Sequence, residues 1–306
     1  MNTGFWWVFD VLVAAIGIYV VFSNARRGFT KVLIASIGYV IAVLLASVLA
    51  FASSSALYES VARPSDLSAI EAFTVKIDYP ELFKKALDDE KLGIKTDKSD
   101  IYNILRSNAR EFAKEIRLYA ENKEKAMGGT PFVNASKIEN DMRAVFIKEY
   151  GNLLAERMPK YVQMNFAKQM NDTPELTGTI LEAIYNPKLS SKEAAAVVED
   201  LFAKEPTTEV LQIFVYLIVF CILMVFAALI AAALEYKIFF SFSKATDHAL
   251  GALIGLVETL ALLAFFTIAV RLVVQLGGGN LLCFNEPTIA ASKVFSFFYD
   301  HISILL

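Results

Sequence analysis

The sequence predicts an all-α integral membrane protein, with four transmembrane helices and a helical extramembrane domain inserted between spans two and three. Three observations carry this. Apolar runs at residues 4–23, 32–57, 210–234 and 249–276 are each long enough to cross a hydrocarbon core about 30 Å thick at 1.5 Å per helical residue. Charge is segregated, with 22 of the 29 Lys and Arg and 25 of the 32 acids between Leu57 and Thr208. That middle stretch repeats its apolar residues every three or four positions and shows no sustained alternation, so it reads as helix without sheet. The expected divisions are a first transmembrane hairpin (1–57), a helical extracytoplasmic domain (58–208), a second transmembrane hairpin (209–276) and an amphipathic C-terminal segment (277–306).

The first hairpin organises the rest. Its first run carries one charge, Asp10, and its second carries none. The turn between them, residues 24–31, holds Arg26, Arg27 and Lys31 and no acid. A cleaved signal sequence is the competing reading, because the second run contains Ala50-Phe51-Ala52. The run is about twice a 7–15-residue signal core and another apolar run precedes it, which favours a retained hairpin.

In the middle domain Ile101, Leu105, Ala109, Phe112, Ile116 and Tyr119 form one apolar face, read as a single helix capped by Ser99 and ended near Gly128-Gly129-Thr130-Pro131. A second helix is expected from Ser136 to Met158, stopped by Pro159. Ser190 and Glu193 stand at capping-box spacing ahead of a third, which Pro206 is expected to close. After the fourth run come Gly277-Gly278-Gly279 and a segment, residues 287–306, that mixes Phe297, Phe298 and Ile302 with Lys293, Asp300 and His301. It reads as an amphipathic helix at the interface or on the bundle.

Several classes of function are disfavoured. A formal net charge of -3 supplies no basic surface for nucleic acid. Cys221 and Cys283 cannot build a disulfide framework, and His248 and His301 are too few and too far apart for a sequence-local metal site. No phosphate-cradling loop or nucleophile elbow occurs, so neither a cofactor nor an enzymatic activity is expected. Two glycosylation-type triplets, at Asn134 and Asn171, are assigned no role.

Orientation follows from the short loops. The basic turn and the connection 235–248, with Lys237 and Lys244, are expected in the cytoplasm. The domain 58–208 and both termini are then extracytoplasmic.

Ionisable residues inside spans mark functional candidates. Asp10 and Arg271 lie at similar depths from the outer side, so an ion pair between the first and last spans is one expectation, against separate snorkelling of each. Glu258 falls nearer the middle of the bilayer, where it could relay protons or bind a cation. With no midplane partner in the sequence, the structural reading is favoured. Small residues form a stripe of Gly38, Ala42, Ala46, Ala50 and Ser54, and Gly251 and Gly255 make a GxxxG. Such surfaces let helices approach closely, either within the four spans or in a homo-oligomer.

The first hairpin, with Asp10, the Arg26-Arg27-Gly28 turn, Lys31 and Gly38, together with Thr246-Asp247-His248-Ala249-Leu250-Gly251 and Gly255, resembles the colicin V production protein (CvpA) family of bacterial inner-membrane proteins. The resemblance covers roughly the first 55 residues and about 65 around the last two spans. It implies a four-span protein needed for colicin V production and linked to envelope robustness. The residues matching its pattern are Asp10, Arg27, Gly28, Gly38, Gly251 and Gly255. The charged segment 58–208 departs from the family's compact core. The expectation is a non-enzymatic protein of the bacterial inner membrane, surrounded by lipid, whose outer domain binds a protein partner in toxin production, secretion or envelope support. The alternative is a transporter or channel component using Glu258 and Arg271.

Overall fold

The computed structural model describes residues 5–74, 76–89, 96–127, 135–234, 243–278, 281 and 283–306. Among these the chain is helical, without strands. In order, α1 is Trp6–Arg27, α2 Phe29–Leu57, α3 Arg63–Thr74, α4 Tyr79–Asp89, α5 Lys98–Asn108, α6 Phe112–Ala126, α7 Ala135–Arg157, α8 Lys160–Asp172, α9 Leu176–Tyr185, α10 Ser191–Phe202, α11 Lys204–Leu234, α12 Lys244–Gly277, α13 Glu286–Ala290 and α14 Phe295–His301. A π turn, Tyr58–Ala62, follows α2. The chain divides into two compact units, residues 1–58 with 208–306, and residues 59–207.

Four helices of the first unit, α1, α2, α11 and α12, are long and apolar enough to cross a membrane. Their outward faces are apolar: Ile18, Val48, Phe51, Leu229 and Leu253 are exposed. In water such a surface would be a liability, whereas in lipid it is ordinary. The inward faces use small residues. Ala42, Ala46 and Ala50 are buried beside Ile213, Tyr216, Phe220 and Ile268, so the small stripe of α2 seats larger side chains of α11 and α12. Phe220 stacks on Phe265 with ring centroids 5.0 Å apart.

The C-terminal segment is not one helix. It forms α13 and, after residues 291–294, α14, which runs directly into a short 3-10 turn, Ile302–Ile304. Asn285 caps α13 by accepting from the Thr288 N–H at 2.9 Å. Phe295 is buried, stacked on Phe9 of α1 at 4.9 Å and edge-on to Phe266 of α12 at 5.5 Å. The segment therefore lies on the bundle, held by rings from the first and last spans.

The second unit is a helical bundle whose core holds a run of aromatic rings. Tyr79, Phe146, Tyr150, Phe166 and Phe202 follow one another at centroid separations of 5.7, 5.3, 5.7 and 5.1 Å. The Tyr150 hydroxyl is buried and meets Thr74 Oγ1 at 3.3 Å, which satisfies it. The expected helix through Ile101 and Tyr119 is broken at Asn108, whose backbone leaves the helical region. A 3-10 turn, Ala109–Glu111, then leads into α6. The apolar period survives because so short a turn keeps both helices facing one core. The break serves packing: a Cβ on Gly178 of α9 would lie 2.1 Å from the Arg110 carbonyl oxygen, so the two backbones touch there.

Helix ends correct the sequence reading in two places and agree with it in two. Asp97, not Ser99, caps α5, its carboxylate accepting from the Ser99 N–H at 3.0 Å. Pro206 does not close α10, which ends at Phe202. It stands in the first turn of α11, where a missing N–H costs no intrahelical bond. The capping box of Ser190 and Glu193 is present, and α7 stops ahead of Pro159. The Gly128–Pro131 stop signal lies outside the described residues.

Candidate functional site

The candidate site is the place where the turn between α1 and α2 meets the start of α12. Gly28 alone joins the two helices, with φ of 85°, a conformation that favours glycine. Arg26 and exposed Arg27 close α1, placing cations at its carbonyl end. Helix α2 starts without a side-chain cap of its own. Asp247 of α12 supplies it, Oδ1 accepting from the Phe29 N–H at 2.9 Å. One residue on, His248 Nδ1 lies 2.5 Å from the Ala25 carbonyl oxygen. A carbonyl only accepts, so Nδ1 carries the proton and satisfies one of α1's terminal carbonyls.

Two glycines bring the elements this close. A Cβ on Gly251 would stand 2.7 Å from the Asn24 carbonyl oxygen and 3.4 Å from Gly28 Cα. On Gly255 it would stand 3.0 Å from Asn24 Cβ. A turn further, Glu258 Oε2 accepts from Asn24 Nδ2 at 2.5 Å, with both residues buried. Positions 247, 248, 251, 255 and 258 share one face of α12 at helical spacing. That face engages residues 24, 25, 28 and 29. The two stretches that carry the family resemblance are thus in contact.

This geometry changes the reading of Glu258. It has a partner that no midplane count could supply. The next residue, Thr259, faces Gly17, ten residues or about 15 Å of rise from the end of α1, while the Glu258 carboxylate reaches back toward the turn to meet Asn24. The GxxxG is likewise used within the chain, against α1.

Asp10 and Arg271 do not pair. Both Asp10 oxygens accept backbone N–H groups of the C-terminal segment, from Lys293, Val294 and Phe295, at 2.9, 2.9 and 3.0 Å. Asp10 thus caps α14 from another helix, as Asp247 caps α2. Arg271 Nη2 binds Glu209 Oε1 of α11 at 2.8 Å. Similar depth made the pair plausible, but depth says nothing about which face of a helix a residue occupies. Gly38 lies elsewhere, where α2 meets α11, and a Cβ there would approach Ala227 Cβ to 2.7 Å.

The second unit holds a cluster that sequence reasoning missed. Glu199 of α10 is fully buried, 3.5 Å from Arg63 Nε of α3, and neither of its oxygens makes a hydrogen bond among the described residues. Asp66, also on α3, is buried and accepts from Thr207 Oγ1 at 3.3 Å. Burial, helped by Asp200 and opposed by Lys204, pushes Glu199 up to about 7. Burial pushes Asp66 up to about 6 against the Thr207 hydrogen bond. Charges at helical spacing normally mark a solvated face, so no local signal set these two apart.

No family model, no curated protein and no solved structure matches the chain.

Proposed function

We propose that the chain is a non-enzymatic anchor of the colicin V production type, in a bacterial inner membrane, whose segment 58–208 binds a protein partner in envelope support or secretion. The observation that carries this is the use made of the polar groups in the spans. Asp10 and Asp247 cap helices, Glu258 binds Asn24, and Arg271 binds Glu209. Each is engaged in holding the bundle together. A transport path would need such groups poised along one route. Glu258 and Arg271 are 13 residues apart on α12, about 20 Å, and each has its own partner. The family assignment is supported by the contact between the turn around Gly28 and the Asp247–Gly251 stretch, since contact explains why both would belong to one pattern. The basic turn supports a cytoplasmic position for residues 24–31 and an extracytoplasmic one for 58–208.

Complementation of a deletion strain tests the reading, with envelope permeability to an excluded dye as the readout. The anchor reading expects Glu258→Gln to complement fully, because glutamine still accepts from Asn24, and expects a chain with residues 59–207 replaced by a short linker to fail. Proton or ion flux in vesicles that Glu258→Gln abolishes would favour the transporter instead.

A further inference from the structure

Helix α14 and the 3-10 turn that follows it cross the flank of the bundle at one depth. At the start, Asp10 of α1 caps the segment and Phe295 stacks on Phe9. Asp10 stands 18 helical rises, about 27 Å, from Gly28 at the basic turn. At the other end, Ile302 is buried in one cluster with Ile213 of α11 and Ile268 of α12. Ile268 stands 17 rises, about 26 Å, from Gly251. Gly251 is level with the turn, since a Cβ on it would lie 3.4 Å from Gly28 Cα. Two ends equally far from the turn put the segment along the membrane plane, not through it.

That depth falls just short of a hydrocarbon core about 30 Å thick, counted from the basic turn. The residues at this level agree. Trp6 and exposed Trp7 begin α1, and indole rings gather where hydrocarbon meets headgroups. Lys293 Nζ stands 5.8 Å from the Trp6 ring centroid, and Lys293, Asp300 and His301 are all exposed. Such groups would be costly at the middle of the core, whereas at its boundary they reach the headgroups.

The bundle covers one side of the segment and leaves the other bare. Phe295 and Ile302 are buried against it, whereas Val294, Phe297 and Ile304 are 48%, 61% and 81% exposed. Trp7 and Val11 of α1, which flank the same depth, are exposed too, so the bare side continues the lipid-facing surface of a span.

We propose that α14 and its 3-10 turn form an interfacial anchor in the leaflet opposite the basic turn, with Val294, Phe297 and Ile304 inserted among its lipids. The partner is the lipid boundary itself, with acyl chains against the apolar side chains and headgroups beside Lys293, Asp300 and His301. This is the division of an interfacial amphipathic helix. Asp10 then ties the lipid-borne segment to the first span. The proposal rests only on the four helices lying in a bilayer. It holds for either orientation and is independent of the partner reading of residues 58–208.

The test is nitroxide accessibility in the full-length chain in lipid nanodiscs, with Cys221→Ala and Cys283→Ala as background. Labels are placed by Phe297→Cys, by Asp300→Cys and, as a deep lipid reference, by Ile18→Cys, all at exposed positions. The label at 297 is expected to favour oxygen over a water-soluble nickel chelate, as at 18, and to lie about 5–10 Å below the phosphates. At 300 that preference is lost. The unaltered chain supplies a second measurement: phospholipid with a photoreactive group on its upper acyl chain is expected to form adducts within residues 294–304. Chelate access at 297 equal to that at 300 would place the segment in water. Access by neither reagent would show protein covering it. Either result, or absence of adducts in 294–304, overturns the proposal.

Discussion

Asp247 and Phe29 are 218 positions apart, yet the carboxylate of one is the N-terminal cap of the helix begun by the other. The first hairpin therefore owes its geometry to a helix made much later. Asp247→Ala is expected to destabilise the bundle by about 1–2 kcal/mol, as for other cap deletions, with Asp247→Asn retaining most of the stability. Thermal unfolding in detergent followed by helical circular dichroism checks it. A Cβ on Gly28 would stand 2.2 Å from the Asp247 carboxylate, so Gly28→Ala and Asp247→Ala should cost less together than the sum of their separate effects.

At the other end of α1, the Asp10 carboxylate is expected to hold the C-terminal segment in place. Asp10→Ala leaves three N–H groups without their acceptor and should make residues 291–295 the first site of proteolytic nicking, while Asp10→Asn largely protects them. Exchanging Asp10 and Arg271 should give no rescue of either single variant. Exchanging Glu209 and Arg271 should recover part of the loss, since those two do bind each other.

The buried acids of the second unit make it pH-dependent. Asp66 and Glu199 have folded-state values raised above those of an unfolded chain, so the folded unit holds more protons between about pH 4 and 7. Stability then falls as pH rises through that window, because stability declines wherever the unfolded state binds fewer protons. Hydrogen exchange in α3 and α10, corrected for intrinsic rates, should accelerate from pH 5 to pH 8. Glu199→Gln should flatten most of that dependence, and a slope of opposite sign would show that Arg63 dominates the burial of Glu199 instead.

Orientation has a direct check in the two thiols. A membrane-impermeant maleimide applied to intact cells should label Cys283, which is half-buried after α12, and miss Cys221, which faces outward from the middle of α11. Labelling of Cys283 only after the cytoplasmic face is opened would invert the topology.

How far the sequence could be read depended on how local each cause was. The four apolar helices are legible because length and hydropathy act along one stretch of chain. The Ser190–Glu193 box and the stop before Pro159 are legible for the same reason. The break at Asn108 was not, because its cause is the close approach of Gly178, some 70 residues away, and a three-residue turn leaves the apolar period intact. The C-terminal segment looked like one helix because its break is stabilised by Asp10, at the far end of the chain. Asp10, Gly28, Gly251, Gly255 and Glu258 could all be singled out by residue type, yet nothing local says that Asn24 is the partner of Glu258. Pairing across more than 200 positions is set by packing, and periodicity carries no trace of it.

The capture of Lys293, Val294 and Phe295 by Asp10 also bears on how the protein is made. During synthesis the first span is made with its carboxylate lacking these N–H donors, and they arrive only some 283 residues later. Until then α1 carries a charge that the finished bundle hides in a cap. A nascent chain stalled before residue 293 thus differs from a longer one in its first helix, whose Asp10 carboxylate still lacks the N–H groups of Lys293, Val294 and Phe295.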